Sequence, residues 1–172
     1  MTEELDFDEF AAGRANRLFQ AAYLMCGDWH QAQDLVQTTL SKLYPVWGRL
    51  TRKNEVNGLD AYARKVLLRT YLDHRRLRRS SEIAVPEIAD RPVPGTEESR
   101  RLETRIALLD ALGQLSPRSR AVVVMRYLDD CSVETVAEAV GISQASVKTI
   151  SFRGLAKLRE ILGPERTLLL QD

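Results

Sequence analysis

Apolar residues recur along this chain at three- and four-residue steps, the period of helices that bury one face. Phe7, Phe10, Leu18, Ala21, Ala22 and Met25 predict a first helix that stops at Gly27-Asp28. Asp28, with Gln31 three places on, has the form of a capping box and starts a second helix, whose buried stripe is Ala32, Leu35, Val36, Thr39, Leu40, Leu43 and Trp47. The polar stretch 48–58 predicts a loop. Leu59, Ala63, Val66, Leu67, Thr70, His74 and Leu77 predict a third helix. Helical spacing resumes at Leu102, Ile106, Leu109 and Leu112, stops at Gly113, and restarts at Ser116-Pro117, a cap followed by proline at the first helical position. Ala121, Val124, Met125 and Leu128 continue the buried face there, and Ser132 caps the next helix.

Between these two groups the periodicity breaks. From Ser80 to Arg101, Pro86, Pro92, Pro94 and Gly95 lie among charged and small residues, which predicts a flexible linker. The expected organisation is all-α, two small helical domains at 5–79 and 102–163 joined by the linker 80–101, with a C-terminal tail at 164–172. At 172 residues with 44% hydrophobic and 28% charged positions, the composition is that of an ordinary globular chain. No hairpin signal or internal repeat is present.

The net charge of +1 is uninformative, but its distribution is not. Residues 61–80 carry seven cations, six of them arginine, against the single acid Asp73, whereas residues 81–140 sum to minus four. A second, weaker basic stretch, 141–172, sums to plus two. An acidic start without an apolar core, and the absence of any long apolar window, predict a cytoplasmic chain that neither enters secretion nor spans a membrane. Cys26 and Cys131 form no disulfide framework.

Val133, Val136, Ala137 and Val140, then Gly141-Ile142-Ser143, then Val147, Ile150, Leu155 and Leu158 spell a helix-turn-helix. Ala137 is small where two helices would cross, Gly141 can take positive φ, and Ile142 can plug the turn. On the second helix Lys148 and Arg153 can reach phosphates, and Gln144, Ser146 and Thr149 can read base edges. Phe152 is expected to pack on the preceding helix. Spacing alone also fits two helices of a plain bundle.

The 61–79 helix is open to two readings as well. A solvated charged face accounts for the cations; so does a polyanion, since Tyr62 and Tyr71 interleave with Arg64, Lys65, Arg69, Arg75 and Arg76, and aromatic platforms with cations suit single-stranded nucleic acid. Catalytic signals are weak. Cys26 and His30 are two ligands across a helix break, short of a metal site, and no phosphate loop or nucleophile arrangement occurs. No cofactor, metal or enzymatic role is expected.

These motifs together resemble those of an extracytoplasmic function RNA polymerase sigma factor of the sigma-70 family. Leu115-Ser116-Pro117-Arg118-Ser119-Arg120, Gly141-Ile142-Ser143, Val147-Lys148-Thr149 and Arg153 to Arg159 are similar to its region four. Ala32 to Leu40 is similar to region 2.2, and Ala61-Tyr62 through Arg75-Arg76 to regions 2.3 and 2.4. The resemblance implies a promoter-specificity subunit partnered by core polymerase (β′ clamp helices and β flap) and promoter DNA, with an anti-sigma protein common in the family. It implies that Gln33, Asp34, Gln37 and Thr38 dock on the clamp helices. It further implies that Tyr62, Arg64, Lys65, Arg69, Arg75 and Arg76 grip the opened minus-ten element, and that Gln144, Ser146, Lys148, Thr149 and Arg153 face the minus-thirty-five element. Arg69, Ile150 and Tyr62 depart from residues frequent in the family. The rival readings are a stand-alone dimeric helix-turn-helix regulator and a helical adaptor without nucleic acid.

Overall fold

The computed structural model describes residues 6–53, 56–77 and 95–164. The expected tail with Leu168-Leu169-Leu170, the linker up to Pro94, and Arg78 and Arg79 of the basic stretch lie outside these residues.

The first lobe holds α1 (Phe7–Cys26), α2 (Trp29–Leu43), a single 3-10 turn (Tyr44–Val46), α3 (Trp47–Lys53) and α4 (Val56–Leu77). Gly27 ends α1 at φ +70, a conformation in which a Cβ is strained, and gives its N–H to the Tyr23 carbonyl. The Asp28 carboxylate then accepts the Gln31 N–H at 3.0 Å and starts α2. Phe10, Leu18, Met25, Leu35, Leu43, Leu67 and Leu68 fill the core between α1, α2 and α4.

Two expectations need correction here. The stretch predicted as a loop opens with α3, because Trp47 sets its ring against Phe10 and Phe7 at 4.8 and 5.4 Å and Leu50 is buried. Tertiary packing overrides the poor helix propensity of Gly48. Leu77, predicted to be buried, is 83% exposed, since the last turn of α4 runs past the core.

The second lobe holds α5 (Glu97–Gly113), α6 (Pro117–Val123), continued by a π turn (Val124–Leu128), α7 (Val133–Val140) and α8 (Gln144–Leu162). The Thr96 hydroxyl accepts the Ser99 N–H at 3.1 Å and so begins α5 inside the expected linker; Glu97 to Arg101 are helical, a correction to the 80–101 boundary. Ser116, Ser132 and Ser143 each cap a helix by accepting the N–H three residues on. Arg120 ties down carbonyls at the end of α5 and the turn beyond it, donating to Leu112 at 2.8 Å and Leu115 at 3.2 Å, and crosses to the Met25 carbonyl of α1 at 3.0 Å. Gly154 lets α8 lie directly on α6, for a Cβ there would stand 2.5 Å from the Val123 methyl.

The lobes do not stand apart. α4 lies against α7, α1 against the π turn, and the buried side chains of both lobes form one connected apolar cluster. An open cleft of about 290 Å³, lined by Asn16, Arg17, Gln20, Leu24, Leu128 and Asp129, runs along part of this seam.

Candidate nucleic-acid interface

α7 and α8 meet through a tight turn. Gly141 takes φ +76, and the N–H groups of Gly141 and Ile142 both return to the Ala137 carbonyl, at 2.9 and 3.1 Å. Val147, Ser151, Gly154, Leu155 and Leu158 turn α8 inward. Its opposite side is left to solvent: Gln144, Lys148 and Phe152 form one row four residues apart, and Ala145, Thr149 and Arg153 the neighbouring row, all exposed.

Lys148, Arg153 and Gln144 make no ion pair or side-chain hydrogen bond among the described residues. Thr149 donates to the Ala145 carbonyl at 3.1 Å, a bond its hydroxyl can exchange by rotation. Ser146 is half-buried, with its hydroxyl 2.8 Å from that of the Ser143 cap, so it serves the helix start first. Phe152 overturns its expectation. It is 75% exposed, in the middle of the cationic face rather than packed on α7.

On α4 the buried face is Leu59, Ala63, Leu67, Leu68, Thr70 and Tyr71. Tyr71 is 1% exposed, so the expected second stacking platform faces the core instead, with its hydroxyl unpartnered among the described residues and burial raising its ionisation. Tyr62 is half-buried, while Arg75 and Arg76 are exposed and unpaired among the described residues.

The central cations of α4 are engaged by the other lobe. Arg64 Nε lies 3.3 Å from Asp129 Oδ2, and Lys65 Nζ 3.0 Å from Glu138 Oε2. Arg69 donates to the Glu138 carbonyl at 3.1 Å, at the C-terminal, negative end of α7. Asp129 is 6% exposed and is also held by Arg17 at 3.2 Å. The basic face predicted for the opened strand is thus half covered. Sequence reasoning missed this because the acids lie on another lobe, with no spacing relation to the cations.

Gln33, Asp34 and Gln37 are exposed on the outer side of α2, and Thr38 is half-buried beside them. Cys26 donates its thiol to the Asp28 carbonyl at 3.3 Å, and burial pushes it up to about 11; no group of three or more His, Cys, Asp or Glu residues is arranged for a metal among the described residues. No helix among them is long and apolar enough to cross a membrane.

Comparison with known proteins puts these elements in context. The family described as Sigma-70 region 2 matches residues 13–81, and Sigma-70, region 4 matches residues 111–160. The RNA polymerase sigma-E factor of Streptomyces coelicolor is 35% identical over 162 residues, covering 94% of this chain and 89% of that protein. The ECF RNA polymerase sigma factor SigX of Bacillus subtilis is 25% identical over 160 residues, covering 90% of this chain and 82% of its own. Among solved structures, the sigma factor RpoE of Bartonella quintana, crystallised with the anti-sigma factor NepR, has a TM-score of 0.70 at 22% identity, over 91% of this chain and 96% of that one. The chain therefore belongs to the sigma-70 family of RNA polymerase sigma factors, with the two-region build of its extracytoplasmic function members.

Proposed function

We propose that this sigma factor divides promoter reading between two helices, α8 taking duplex DNA at the minus-thirty-five element and α4 holding the opened minus-ten strand. As a member of the family the chain is a promoter-specificity subunit that directs core RNA polymerase to promoter DNA. It carries out no catalysis of its own and works in the cytoplasm.

The observation that carries the reading is the exposed row on α8. Its N-terminal turns offer Gln144, Lys148 and Arg153 on one side, without intramolecular side-chain partners among the described residues, and beside them Thr149, whose hydroxyl bonds only the Ala145 carbonyl of its own helix, at the end of a helix-turn-helix whose other side is buried. Lys148 and Arg153 neutralise phosphates, while Gln144 and Thr149, with Ser146 as the cap permits, meet base edges. On α4, Arg75 and Arg76 supply phosphate contacts at the exposed end, and Tyr62, Arg64, Lys65 and Arg69 continue the track. Gln33, Asp34, Gln37 and Thr38 form the polar surface for the β′ clamp helices, and the second lobe meets the β flap. An anti-sigma protein acting on this chain would cover the faces of α2 and α4. Two weak readings joined through one chain add as effective concentration.

Retention on immobilised core polymerase tests the docking assignment. Asp34→Arg with Gln37→Arg should abolish retention while leaving the melting temperature unchanged. Undiminished retention of the double variant would remove α2 from the interface.

A further inference from the structure

Trp29 opens α2 with much of its indole turned out to water. It is 54% exposed, and its ring N–H has no hydrogen-bond partner among the described residues. Capping does not call for a large ring there, since the Asp28 carboxylate already takes the Gln31 N–H. Nor is the ring loose. Phe19 of α1 meets it edge-on, with centroids 4.5 Å apart and planes at 64°, and Tyr23 does the same at 6.2 Å and 71°. Phe19 and Tyr23 themselves lie parallel, 6.1 Å apart, and pack against the core. Two rings on another helix thus hold the indole in place. A side chain fixed before it meets a partner gives up little freedom on binding.

Its position on α2 says which partner. Trp29 stands one turn before Gln33 and two before Gln37, on the same side of the helix, and all three are exposed. Gln33 and Gln37 belong to the polar surface assigned to the β′ clamp helices, so Trp29 and the rings behind it continue that surface onto α1. The charge of this face does not suit DNA: residues 18–41 carry no lysine or arginine and two acids, Asp28 and Asp34. A polyanion finds no cation there. A protein helix finds a rigid apolar ring bordered by amides, the setting in which a tryptophan dominates an interface.

We propose that Trp29, braced by Phe19 and Tyr23, is the apolar anchor of polymerase docking, burying its exposed surface against the clamp helices while Gln33, Asp34 and Gln37 form the polar border. The inference rests on the assignment of the α2 surface to the clamp. It adds that the contact reaches onto α1, and that binding energy is concentrated at Trp29 rather than spread along the polar row.

The test uses the full chain and core polymerase. Hydroxyl-radical footprinting, read by mass spectrometry, compares oxidation of Trp29 in the free chain and in the holoenzyme, and requires no substitution. Titration of fluorescein-labelled chain with core polymerase then compares the parent with Trp29→Ala, Trp29→Phe and the double variant Asp34→Arg, Gln37→Arg. The expected result is protection of Trp29 in the holoenzyme and a Kd raised roughly thirtyfold by Trp29→Ala, the level that marks a dominant interface residue. Trp29→Phe falls between, because it keeps a ring on Phe19 but offers less area. The loss from Trp29→Ala persists from low to high salt, since no charge is removed. Equal oxidation of Trp29 in the free chain and the holoenzyme overturns the anchor, whatever the stability of the variants. Weak binding by the double variant with an unchanged Kd for Trp29→Ala also overturns it, and keeps the α2 surface. Unchanged binding by both removes the surface and the anchor together. Protection of Trp29 in the free chain as its concentration rises, with dimers in sedimentation, assigns the face to a second copy of the chain and overturns the proposal.

Discussion

Arg64 and Asp129 face each other from separate lobes, Nε to Oδ2 at 3.3 Å, with the Cys131 thiol 3.8 Å from the same guanidinium. The relationship joins the helix assigned to the opened strand to the turn that leads into the helix-turn-helix. Burial raises the Asp129 carboxyl, an effect larger than the opposing pull of Arg64 and Arg17. The ion pair thus holds the lobes in register more than it adds to stability, as expected where desolvation rivals attraction.

Cys131 reports on this seam. Burial first, then the Asp129 charge, pushes its thiol up to about 11, from 9.0 for a free one. Its native ionisation lies above the unfolded one, so its contribution to stability is complete below pH 9, and is lost as pH rises toward 11. Cys26 follows the same rule. Absorbance of thiolate at alkaline pH should therefore lag behind that of the denatured chain by about two pH units. A native titration that overlays the denatured one would contradict the buried seam.

Gly154→Ala should destabilise the second lobe by about 1–3 kcal/mol, the usual cost of overpacking a filled core. The new methyl meets a fully buried β-branched side chain, Val123, that cannot rotate away cheaply. Urea unfolding measures it; a loss under about 0.5 kcal/mol, the level of surface substitutions, would show that α6 and α8 can part there without cost.

Lys148→Ala should weaken binding to duplex and lower the salt slope by about one ion, as for loss of one phosphate contact. Phe152→Ala should leave stability within about 0.5 kcal/mol of the parent, because the ring is already in water. Titrations at several salt concentrations and thermal melts of both variants check the pair. A large stability loss in Phe152→Ala would restore the packing role first expected for it.

Much of the architecture was legible in the chain. Asp28, Ser116 and Ser132 mark helix starts because a short oxygen-bearing side chain satisfies free N–H groups locally, and Gly27 and Gly141 mark ends because they take positive φ. α3 was not legible, since Gly48 and the preceding Pro45 argue against a helix and only the Trp47 and Leu50 contacts sustain it. Phe152 was misread because its neighbours 151, 154 and 155 already supply the buried face. Closure of the two lobes was invisible for a deeper reason. Arg64 and Asp129, or Lys65 and Glu138, carry no periodic trace of their pairing, and Tyr71 shows only in three dimensions that it belongs to the core.

Transcription from a randomised promoter library by bacterial core polymerase, with and without this chain, tests the central claim most directly. The account predicts transcripts only when both are present, from templates that share two elements at a fixed separation, with Gln144→Ala relaxing selection at the upstream element alone. Selective, tight binding of one palindromic duplex by the chain without polymerase, and no transcript gained by adding it, would contradict the account.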